Sequence, residues 1–330
     1  MEPVRLGRSG LKVSPLALGT AAFGDPSLRA WNLGEEAASS LVAAAFDRGV
    51  TLFDTGSTYG GGLAETRLGA ALARLGHRHD VTITTKIFFP TGPGPNERGL
   101  SRQHLTNVLD RSLKRLGTDF VDLLMIHRFD SGTPIEETLA TLEHFVRSGR
   151  VRYLGASSMS AWRLMKMLSL QDSQGFSPFI AMQGHYNLVY REEEREMIPL
   201  CREEGLGYMA WSPLARGRLA GPQADITRLQ GDPLARASFD PALDRPALDA
   251  LSVLAAATGL GQAELSLAWL AGKGVIPVIG PSGIEQLDRA IAGVRLAKEE
   301  LSFASVESAY LPHAVIGFDP KAESASAPDS

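Results

Sequence analysis

The sequence predicts a (β/α)8 barrel, the TIM-barrel architecture, preceded by a short β-hairpin. Eight short apolar runs recur along the chain, and longer segments of helical periodicity separate them. Strands that alternate with helices favour a parallel sheet, and near-continuous apolar strands favour a closed barrel whose strands are buried on both faces. The alternative is an open, doubly wound sheet. It would place a GxGxxG motif after an early strand, and the glycines of Tyr59–Gly62 do not have that spacing.

The elements follow one another in a regular order. Two short strands around Arg8–Gly10 predict the hairpin. The eight barrel strands are predicted at Leu16–Thr20, Thr51–Thr55, Val81–Lys86, Val121–His127, Val151–Ser157, Phe179–Gln183, Gly207–Trp211 and Val275–Gly280. The intervening helices include residues 35–49, 101–117 and 134–149, and several predicted helices end in glycine, at Gly49, Gly117, Gly149 and Gly205.

The chain has 330 residues, a length at which a barrel of this type folds as one domain. We therefore expect a single barrel over residues 1–319. The polar stretch Ala220–Asp240 follows the seventh strand and is predicted to be a loop near the ligand face. Residues 320–330 are rich in Ser, Ala and Asp and are predicted to form a disordered tail.

Composition narrows the class of partner. The net charge is only −4 and no basic run occurs, which argues against nucleic acid or an anionic membrane as the main partner. No signal peptide and no run of about 18 apolar residues is evident, so a cytoplasmic protein is expected. The single cysteine, Cys201, lies in a predicted helix and is interpreted as a core or half-buried thiol, not a nucleophile.

Polar and aromatic residues end the predicted strands. In chain order they are Asp54, Lys86, His127, Ser157, Gln183 and Trp211, and Gly280 ends the eighth strand. Taken singly, each has an ordinary explanation as a helix cap, a solvated lysine, a structural histidine or a core aromatic. All strand ends of a (β/α)8 barrel nevertheless point to one face, where active sites are built. The joint pattern therefore predicts that an acid, a cation, an imidazole and an amide converge on one mouth.

Tyr59 completes this set, because it lies in the loop five residues after Asp54. A free phenol is a poor acid at neutral pH, and a nearby cation such as Lys86 favours the phenolate. Asp54 can hold the ammonium group, and His127 can donate a hydrogen bond to a carbonyl oxygen. Together these groups form a proton-delivery site, but none of them can supply hydride, so a cofactor is required.

No metal site is predicted. His77 and His79 lie two residues apart in a polar loop, and no third ligand is in sight.

These residues carry a resemblance to a known family. From about Val4 to Phe318 the chain resembles the aldo-keto reductases, in particular bacterial members of the aryl-alcohol dehydrogenase-like or sugar-carbonyl type. The segments that carry the likeness are FDTGSTYGGG, TTK, LLMIHR, GASSMS, MQGHYNLVYREEERE, WSPLARGRLAG and PHAVIGF. Each alone is weak, whereas the combination is specific.

The resemblance implies a catalytic tetrad of Asp54, Tyr59, Lys86 and His127. It implies that Ser157 and Gln183 hold the nicotinamide carboxamide and that Trp211 stacks on the nicotinamide ring. The remaining implied cofactor contacts are Gly19, Thr20, Asp54, Ser212, Pro213, Leu214, Arg216, Gly217, Arg218, Gly280, Ser282 and Gln286. One carboxamide contact differs, because Ser158 stands where relatives often have Asn.

The resemblance favours NADPH as cofactor, with NADH as the alternative. Many relatives carry Arg or Lys at the positions of Ser282 or Gly283, where the 2′-phosphate of NADPH binds, and both residues are uncharged here. Without that cation, 2′-phosphate binding should weaken, unless Arg289 or Arg218 compensates.

The expected function is reduction of an aldehyde or ketone, or the reverse oxidation of an alcohol, with a small carbonyl compound as partner. Two alternatives are a Schiff-base lyase that uses Lys86 and a cofactor-bound sensor or partner subunit with little turnover. Candidate substrate-pocket residues are Trp31, Phe88, Phe89, Arg128 and Phe129, although some of these aromatic residues could simply pack the rim. Arg128 could meet an anionic substrate or pair with a neighbouring acid. No oligomeric state is predicted.

Overall fold

The computed structural model describes residues 1–221 and 239–315, and within them the predicted barrel is confirmed. The hairpin strands are β1 (Val4–Arg5) and β2 (Lys12–Val13). The barrel strands are β3 (Ala17–Gly19), β4 (Leu52–Asp54), β5 (Thr82–Ile87), β6 (Val121–Ile126), β7 (Val151–Ser157), β8 (Phe179–His185), β9 (Gly207–Trp211) and β10 (Ile276–Ile279). All eight pair in parallel in chain order, and β10 pairs with β3 to close the barrel.

Helices surround the barrel. In the described ranges they are α1 (Glu35–Asp47), α2 (Leu63–Leu75), α3 (Arg102–Leu116), α4 (Ile135–Arg147), α5 (Ala161–Gln174), α6 (Met197–Glu204), α7 (Pro241–Thr258), α8 (Gln262–Gly272), α9 (Ile284–Arg295) and α10 (Ala304–Ser308). Short 3-10 turns lie at Tyr59–Gly62, Arg78–Asp80, Glu192–Glu194, Ala215–Ala220 and Leu296–Lys298. The four glycines predicted to end helices, Gly49, Gly117, Gly149 and Gly205, all have left-handed φ.

The hairpin closes one end of the barrel. Leu6 and Val13 are fully buried and belong to the same apolar cluster as the inward-facing barrel residues Leu52, Leu123 and Met209. A side chain at Gly7 would lie 2.4 Å from the Gly205 carbonyl oxygen, so the hairpin fits directly against the start of β9. The hairpin therefore covers the N-terminal ends of the strands, and the opposite end of the barrel is the one that carries the strand-end polar residues.

The thiol of Cys201 on α6 is buried, with 1% of the residue exposed, as the sequence predicted. Burial, supported by the charge of Glu193, raises the pKa of Cys201 to about 12. The group is therefore a structural thiol at neutral pH.

Other sequence expectations lie partly or wholly outside the described residues. The loop predicted at Ala220–Asp240 is described only at its two ends, and the predicted tail at 320–330 is not described. In residues 1–221 and 239–315 no single helix is long and apolar enough to cross a membrane; α7 and α8 meet that criterion only as a pair bent by 101°.

Candidate active site

The two-residue period of a β-strand explains how the polar residues reach one mouth. Inward-facing Leu52 on β4 is followed two residues later by Asp54, and inward-facing Met209 on β9 by Trp211. These two strands thus carry an apolar residue inside the barrel and, two residues later, a functional side chain on the same face. By the same alternation, the strand-end residues Gly19, Asp54, Lys86, His127, Ser157, Gln183, Trp211 and Gly280 ring the open end.

A buried ion pair lies at the base of this mouth. Lys86 Nζ is 2.6 Å from Asp54 Oδ2 and donates to the Thr55 carbonyl oxygen at 2.8 Å. Gln183 Nε2 donates to the other carboxylate oxygen of Asp54 at 2.9 Å. The side chain of Lys86 is fully buried and that of Asp54 is 4% exposed. The carboxylate is therefore held from two sides, and the ammonium group is fixed in position.

Tyr59 lies over this pair. Its hydroxyl oxygen is 3.3 Å from Lys86 Nζ, and its ring centroid is 5.7 Å from that of His127 in an edge-on arrangement. The ring packs against Gly56, where an added Cβ would lie 3.2 Å from the ring carbons. Gly60, directly after Tyr59, has φ of 57° and lies close to the backbone of the loop after β3. The glycine-rich loop thereby lets a half-buried phenol lean back over the barrel mouth.

The charges in the mouth are set by burial and by one another. Burial alone would lower the pKa of Lys86, but the attraction of Asp54 and Tyr59 more than offsets it, so this pKa is raised. Burial, with the nearby charges of Arg128 and Lys86, holds the pKa of His127 well below its usual value. At neutral pH the site therefore combines an ammonium group with a neutral imidazole.

Two of the candidate substrate-pocket residues, Phe89 and Arg128, contact His127, and a third, Phe88, packs on Phe89. The Phe89 ring centroid is 4.7 Å from that of His127, and Phe88 packs edge-on against Phe89 at 5.4 Å. Arg128 Nη1 donates to the His127 carbonyl oxygen at 2.6 Å, and its guanidinium carbon is 5.4 Å from the Phe89 ring centroid. These side chains form one wall of the mouth.

Some of the aromatic candidates also have packing contacts away from His127. Phe88 and Phe129 both pack partly against the hydrophobic core, and Arg163 covers the ring of Phe129 at 4.5 Å. Trp31 lies in the loop after β3, where Arg29 is 5.8 Å from its ring centroid. Phe88 and Phe129 therefore pack the rim of the barrel, whether or not they also contact a ligand.

A stack of flat rings forms the wall opposite β5 and β6. Trp211 lies parallel to His185 with ring centroids 4.2 Å apart, and His185 in turn lies parallel to Tyr190 at 4.2 Å. Trp211 Nε1 donates to Ser158 Oγ at 3.1 Å, and Ser158 has a left-handed φ of 44°. The indole is therefore held at its edge and on one face, which fixes the plane of the ring.

Sequence reasoning did not single out His185, and it treated Ser158 only as a departure from a family pattern. A signal for His185 was present, because it lies two residues after Gln183 on the same inward face of β8. The bond from the indole to Ser158 depends on the left-handed backbone after β7, which no local pattern indicates.

The segment after β9 has an unusual backbone. Ser212, Ala215, Arg216 and Gly217 all have positive φ, between 48° and 103°. Pro213 is buried, and Leu214 packs partly against the core. Arg218 forms an ion pair with Asp244 at 2.8 Å, and Asp244 also contacts His313 Nε2 at 2.9 Å. The cation predicted to meet a phosphate is thus already paired with a carboxylate.

Gly19 and Thr20 lie beside Asp54 at the end of β3. Thr20 N donates to the Asp54 carbonyl oxygen at 2.8 Å, and an added Cβ on Gly19 would lie 3.0 Å from the Ile279 carbonyl oxygen. A side chain at this position would therefore crowd the backbone of β10.

The segment after β10 leads into α9. Gly280 is exposed, and Ser282 N donates to the side chain of Gln286 at 2.9 Å. Gly283 precedes α9 and offers no side-chain cap, so backbone N–H groups of the first turn are left to solvent or to a ligand. Arg289, the other cation considered for a 2′-phosphate, pairs with Glu264 at 2.8 Å.

Metal ligands are not grouped in residues 1–221 and 239–315: no three His, Cys, Asp or Glu side chains could hold one ion there. His77 contacts Asp80 at 2.7 Å and stacks on Phe46, and His79 stacks on Phe120. The two histidines therefore have separate structural contacts.

The mouth brings an ammonium group, a phenol and an imidazole together at one end of the barrel, and comparison with known proteins gives the family of the chain. Residues 15–310 match the Aldo/keto reductase family. The chain is 37% identical to versiconal hemiacetal acetate reductase of Aspergillus parasiticus over 96% of this chain and 98% of that protein. It is 35% identical to a candidate aryl-alcohol dehydrogenase of Schizosaccharomyces pombe, over 94% of this chain and 96% of that protein. It is 36% identical to an aldo-keto reductase of Alternaria alternata, over 95% of this chain and 93% of that protein.

The chain therefore belongs to the aldo-keto reductase family. It is an oxidoreductase that acts on carbonyl or alcohol groups. The three relatives named here are fungal.

The residues present fit a nicotinamide dinucleotide. The flat face of Trp211 suits a planar ring, and hydroxyl groups of Ser157 and Ser158 lie beside it, 3.3 Å from each other. The positive-φ backbone after β9 and the uncapped start of α9 offer N–H groups to anionic oxygens. Trp211 thus offers a surface for a planar ring, and the backbone after β9 and at the start of α9 offers N–H groups suited to phosphate oxygens.

Proposed function

We propose that the protein reduces an aldehyde or ketone at the expense of NAD(P)H, with Tyr59 as the general acid. The observation that carries the proposal is the contact of the Tyr59 hydroxyl with the fully buried Lys86 ammonium at 3.3 Å. A cation at this distance stabilises the phenolate that remains after the proton has moved to the carbonyl oxygen.

The residues around Tyr59 have distinct roles in this proposal. Asp54 holds Lys86 at 2.6 Å and keeps it charged. Gln183 fixes Asp54 from the other side. His127, neutral because burial lowers its pKa, donates a hydrogen bond to the carbonyl oxygen and so polarises it without competing with Tyr59 as the acid.

A nicotinamide dinucleotide held at the mouth would supply the hydride that the side chains of the protein cannot. Ser157 and Gln183 would hold its carboxamide, and Trp211 would support its ring. The segment 212–218 and the residues Gly280, Ser282 and Gln286 would bind the remainder. We propose NADPH as the cofactor, with NADH as the alternative. Because Arg218 and Arg289 are paired with Asp244 and Glu264, we expect weak discrimination between the two.

The Schiff-base lyase alternative has less support. An amine nucleophile must be deprotonated, whereas the pKa of Lys86 is raised, burial being outweighed by Asp54 and Tyr59. The three protons of its ammonium group also have three acceptors, Asp54 Oδ2, the Thr55 carbonyl oxygen and Tyr59. The lone pair that would attack a carbonyl is therefore occupied by a proton.

The experiment is the variant Tyr59→Phe. We expect kcat for aldehyde reduction to fall by roughly 100-fold or more, because a positioned general acid contributes about that factor. Affinity for NADPH and NADH, followed by quenching of tryptophan fluorescence, should stay nearly unchanged, since the phenol acts only on the carbonyl oxygen.

Tyr153→Phe is a matched control, since Tyr153 packs against the apolar cluster inside the barrel, away from the mouth. It should retain activity. If Tyr59→Phe kept wild-type turnover, Tyr59 would not be the acid. Tight nucleotide binding by the wild type without turnover of any carbonyl would instead favour the sensor alternative.

A further inference from the structure

Arg128 places a positive charge on the wall of the mouth. It follows His127 directly at the end of β6, and its Nη1 donates to the His127 carbonyl oxygen. Its guanidinium lies against the Phe89 ring at 5.4 Å from the centroid. The group is near enough to Tyr59 and His127 to affect both, since Tyr59 favours its charged form and its own charge disfavours protonation of His127.

This guanidinium has no carboxylate within 4.0 Å in the part of the chain that the structure describes. Other partly buried arginines differ: Arg78 pairs with Asp122 at 2.8 Å, Arg115 with Glu65 at 2.6 Å and Arg218 with Asp244 at 2.8 Å. Placing a cation in a partly buried site without a counter-ion is costly. Burial lowers the pKa of Arg128 to about 10, partly opposed by Tyr59, so the group is still charged at neutral pH.

Two features of the position indicate a ligand as the counter-ion. One carbonyl oxygen uses a single one of the five N–H groups of a guanidinium, and the flat fork of the remaining donors suits a carboxylate. The neighbouring Phe89 and Phe88 rings offer an apolar surface for a planar molecule. The cation, the aromatic wall and the Tyr59 acid are therefore close enough to act on one small compound.

We propose that Arg128 binds an anionic oxygen group of the substrate, and that the preferred substrates are aromatic carbonyl compounds with a carboxylate on the ring. This assignment rests on the proposed reductase function and specifies the substrate class of the same site. The carboxylate offsets the buried charge of Arg128 while the aldehyde or ketone faces Tyr59 and His127.

The test compares two substrates that differ in charge, 4-formylbenzoate and its neutral methyl ester, with 3-formylbenzoate as the positional isomer. For the wild type we expect kcat/KM to be at least roughly ten times higher for one of the acids than for the ester, as a charge-assisted hydrogen bond allows. The variant Arg128→Met should lose that advantage, mainly through KM, and change the ester by less than about threefold.

Arg128→Lys keeps the charge but not the planar fork, so it should restore part of the preference for the acid. Arg111→Met is the matched control, because Arg111 is an exposed arginine on α3 that contacts Thr91. It should leave the acid-to-ester ratio at the wild-type value. An equal loss for acid and ester in Arg128→Met would overturn the proposal and assign Arg128 to positioning His127.

Failure of the reductase function is distinguishable from failure of this proposal. If neither substrate is turned over, the wild type and Arg128→Met are each titrated with 4-formylbenzoate in the presence of NADP⁺ and followed by tryptophan fluorescence. If 4-formylbenzoate binds the variant roughly tenfold more weakly than the wild type, the proposed anion site is supported even though the reaction is not. Equal binding to both proteins would overturn it.

Discussion

Lys86 shows how a single buried charge organises the mouth. Its three ammonium protons have three acceptors: Asp54 at the end of β4, the carbonyl oxygen of Thr55 directly after it, and the hydroxyl of Tyr59 in the following loop. A charged amine without partners could not be buried at this depth. The residue therefore links the end of β5 to the loop that carries the phenol.

His185 is a second buried titratable residue, and it is neutral. Asn187 Nδ2 lies 3.2 Å from His185 Nε2 and 3.0 Å from the Ser212 carbonyl oxygen. An amide nitrogen only donates, so Nε2 accepts and the neutral ring carries its proton on Nδ1. Burial, with the charges of Arg216 and His313, lowers the pKa of His185 to about 3.

This depressed pKa makes the protein less stable in acid. Below the ordinary value of 6.5 the unfolded chain binds a proton at His185 that the folded chain does not bind until about pH 3. Stability is therefore fully present above pH 6.5 and is lost as pH falls through this window, by about 2 kcal/mol between pH 6.5 and pH 5. Burial raises the pKa of Glu193 to about 7, so the contribution of Glu193 to stability changes in the opposite direction, falling as pH rises above 4.5. The effect of His185 is therefore best isolated by comparing the wild type with a variant.

The variant is His185→Phe, which keeps a flat ring between Trp211 and Tyr190. At pH 7 it should lose about 1 kcal/mol with the Asn187 hydrogen bond. At pH 5 the difference from wild type should shift in favour of the variant by about 2 kcal/mol, measured by urea unfolding. The exposed His144 on α4 gives the control variant His144→Gln. A difference from wild type that is the same at both pH values would show that His185 is not protonated on unfolding in this range.

At the scale of elements, glycine sets the distance between neighbouring helices. Gly69 lies in the middle of α2, where an added Cβ would be 2.5 Å from the Leu116 carbonyl oxygen at the end of α3. Gly293 on α9 likewise approaches the backbone of Glu264 on α8, at 2.8 Å. The two helix pairs pack backbone to backbone at these points.

Gly69→Ala should therefore lower the free energy of unfolding by about 1–3 kcal/mol, because backbone cannot move aside as a flexible side chain can. In an open helix position the same change raises stability by up to about 1 kcal/mol. Gly272 at the end of α8 gives that control, since no atom lies within 4 Å of its added Cβ. Urea unfolding of both variants measures the contrast, and equal effects would mean that α2 and α3 can separate at no cost.

The start of α9 is the element at which cofactor choice can be changed. Ser282 is exposed, and α9 begins without a side-chain cap. We expect Ser282→Arg to shift the ratio of dissociation constants towards NADPH by roughly tenfold, because an arginine can form charge-assisted bonds to a phosphate. Fluorescence titration with both nucleotides measures the ratio, and Ser282→Gln separates charge from length. An unchanged ratio would mean that the 2′-phosphate lies elsewhere.

For the whole molecule, the sequence predicts the parts that depend on local pattern. Apolar runs such as Val121–His127 mark the strands, and a glycine such as Gly117 marks a helix end, because burial and left-handed backbone restrict the residue types allowed there. The convergence of Asp54, Lys86 and His127 follows from the barrel itself. These predictions need no knowledge of which side chains meet.

Tertiary contacts between distant segments were not predictable in the same way. Arg218 was expected to meet a phosphate, and its pairing with Asp244 depends on how α7 packs beneath the segment after β9. Tyr310 and His313 both bind Glu192 Oε1, at 2.5 and 2.8 Å, which ties the residues after α10 to the turn after β8. No periodicity relates positions more than a hundred residues apart, so such contacts emerge only from packing.

The buried cysteine has a consequence for following motion in the whole barrel. The chain has one thiol, Cys201, and it lies at 1% exposure on α6 with a pKa raised to about 12 by burial and Glu193. A thiol reagent can reach it only when α6 opens away from the strands it covers. The rate of labelling under native conditions therefore reports how often α6 opens, at a single known position. A nucleotide that binds at the mouth should slow the labelling of Cys201 to the extent that its binding suppresses opening throughout the barrel.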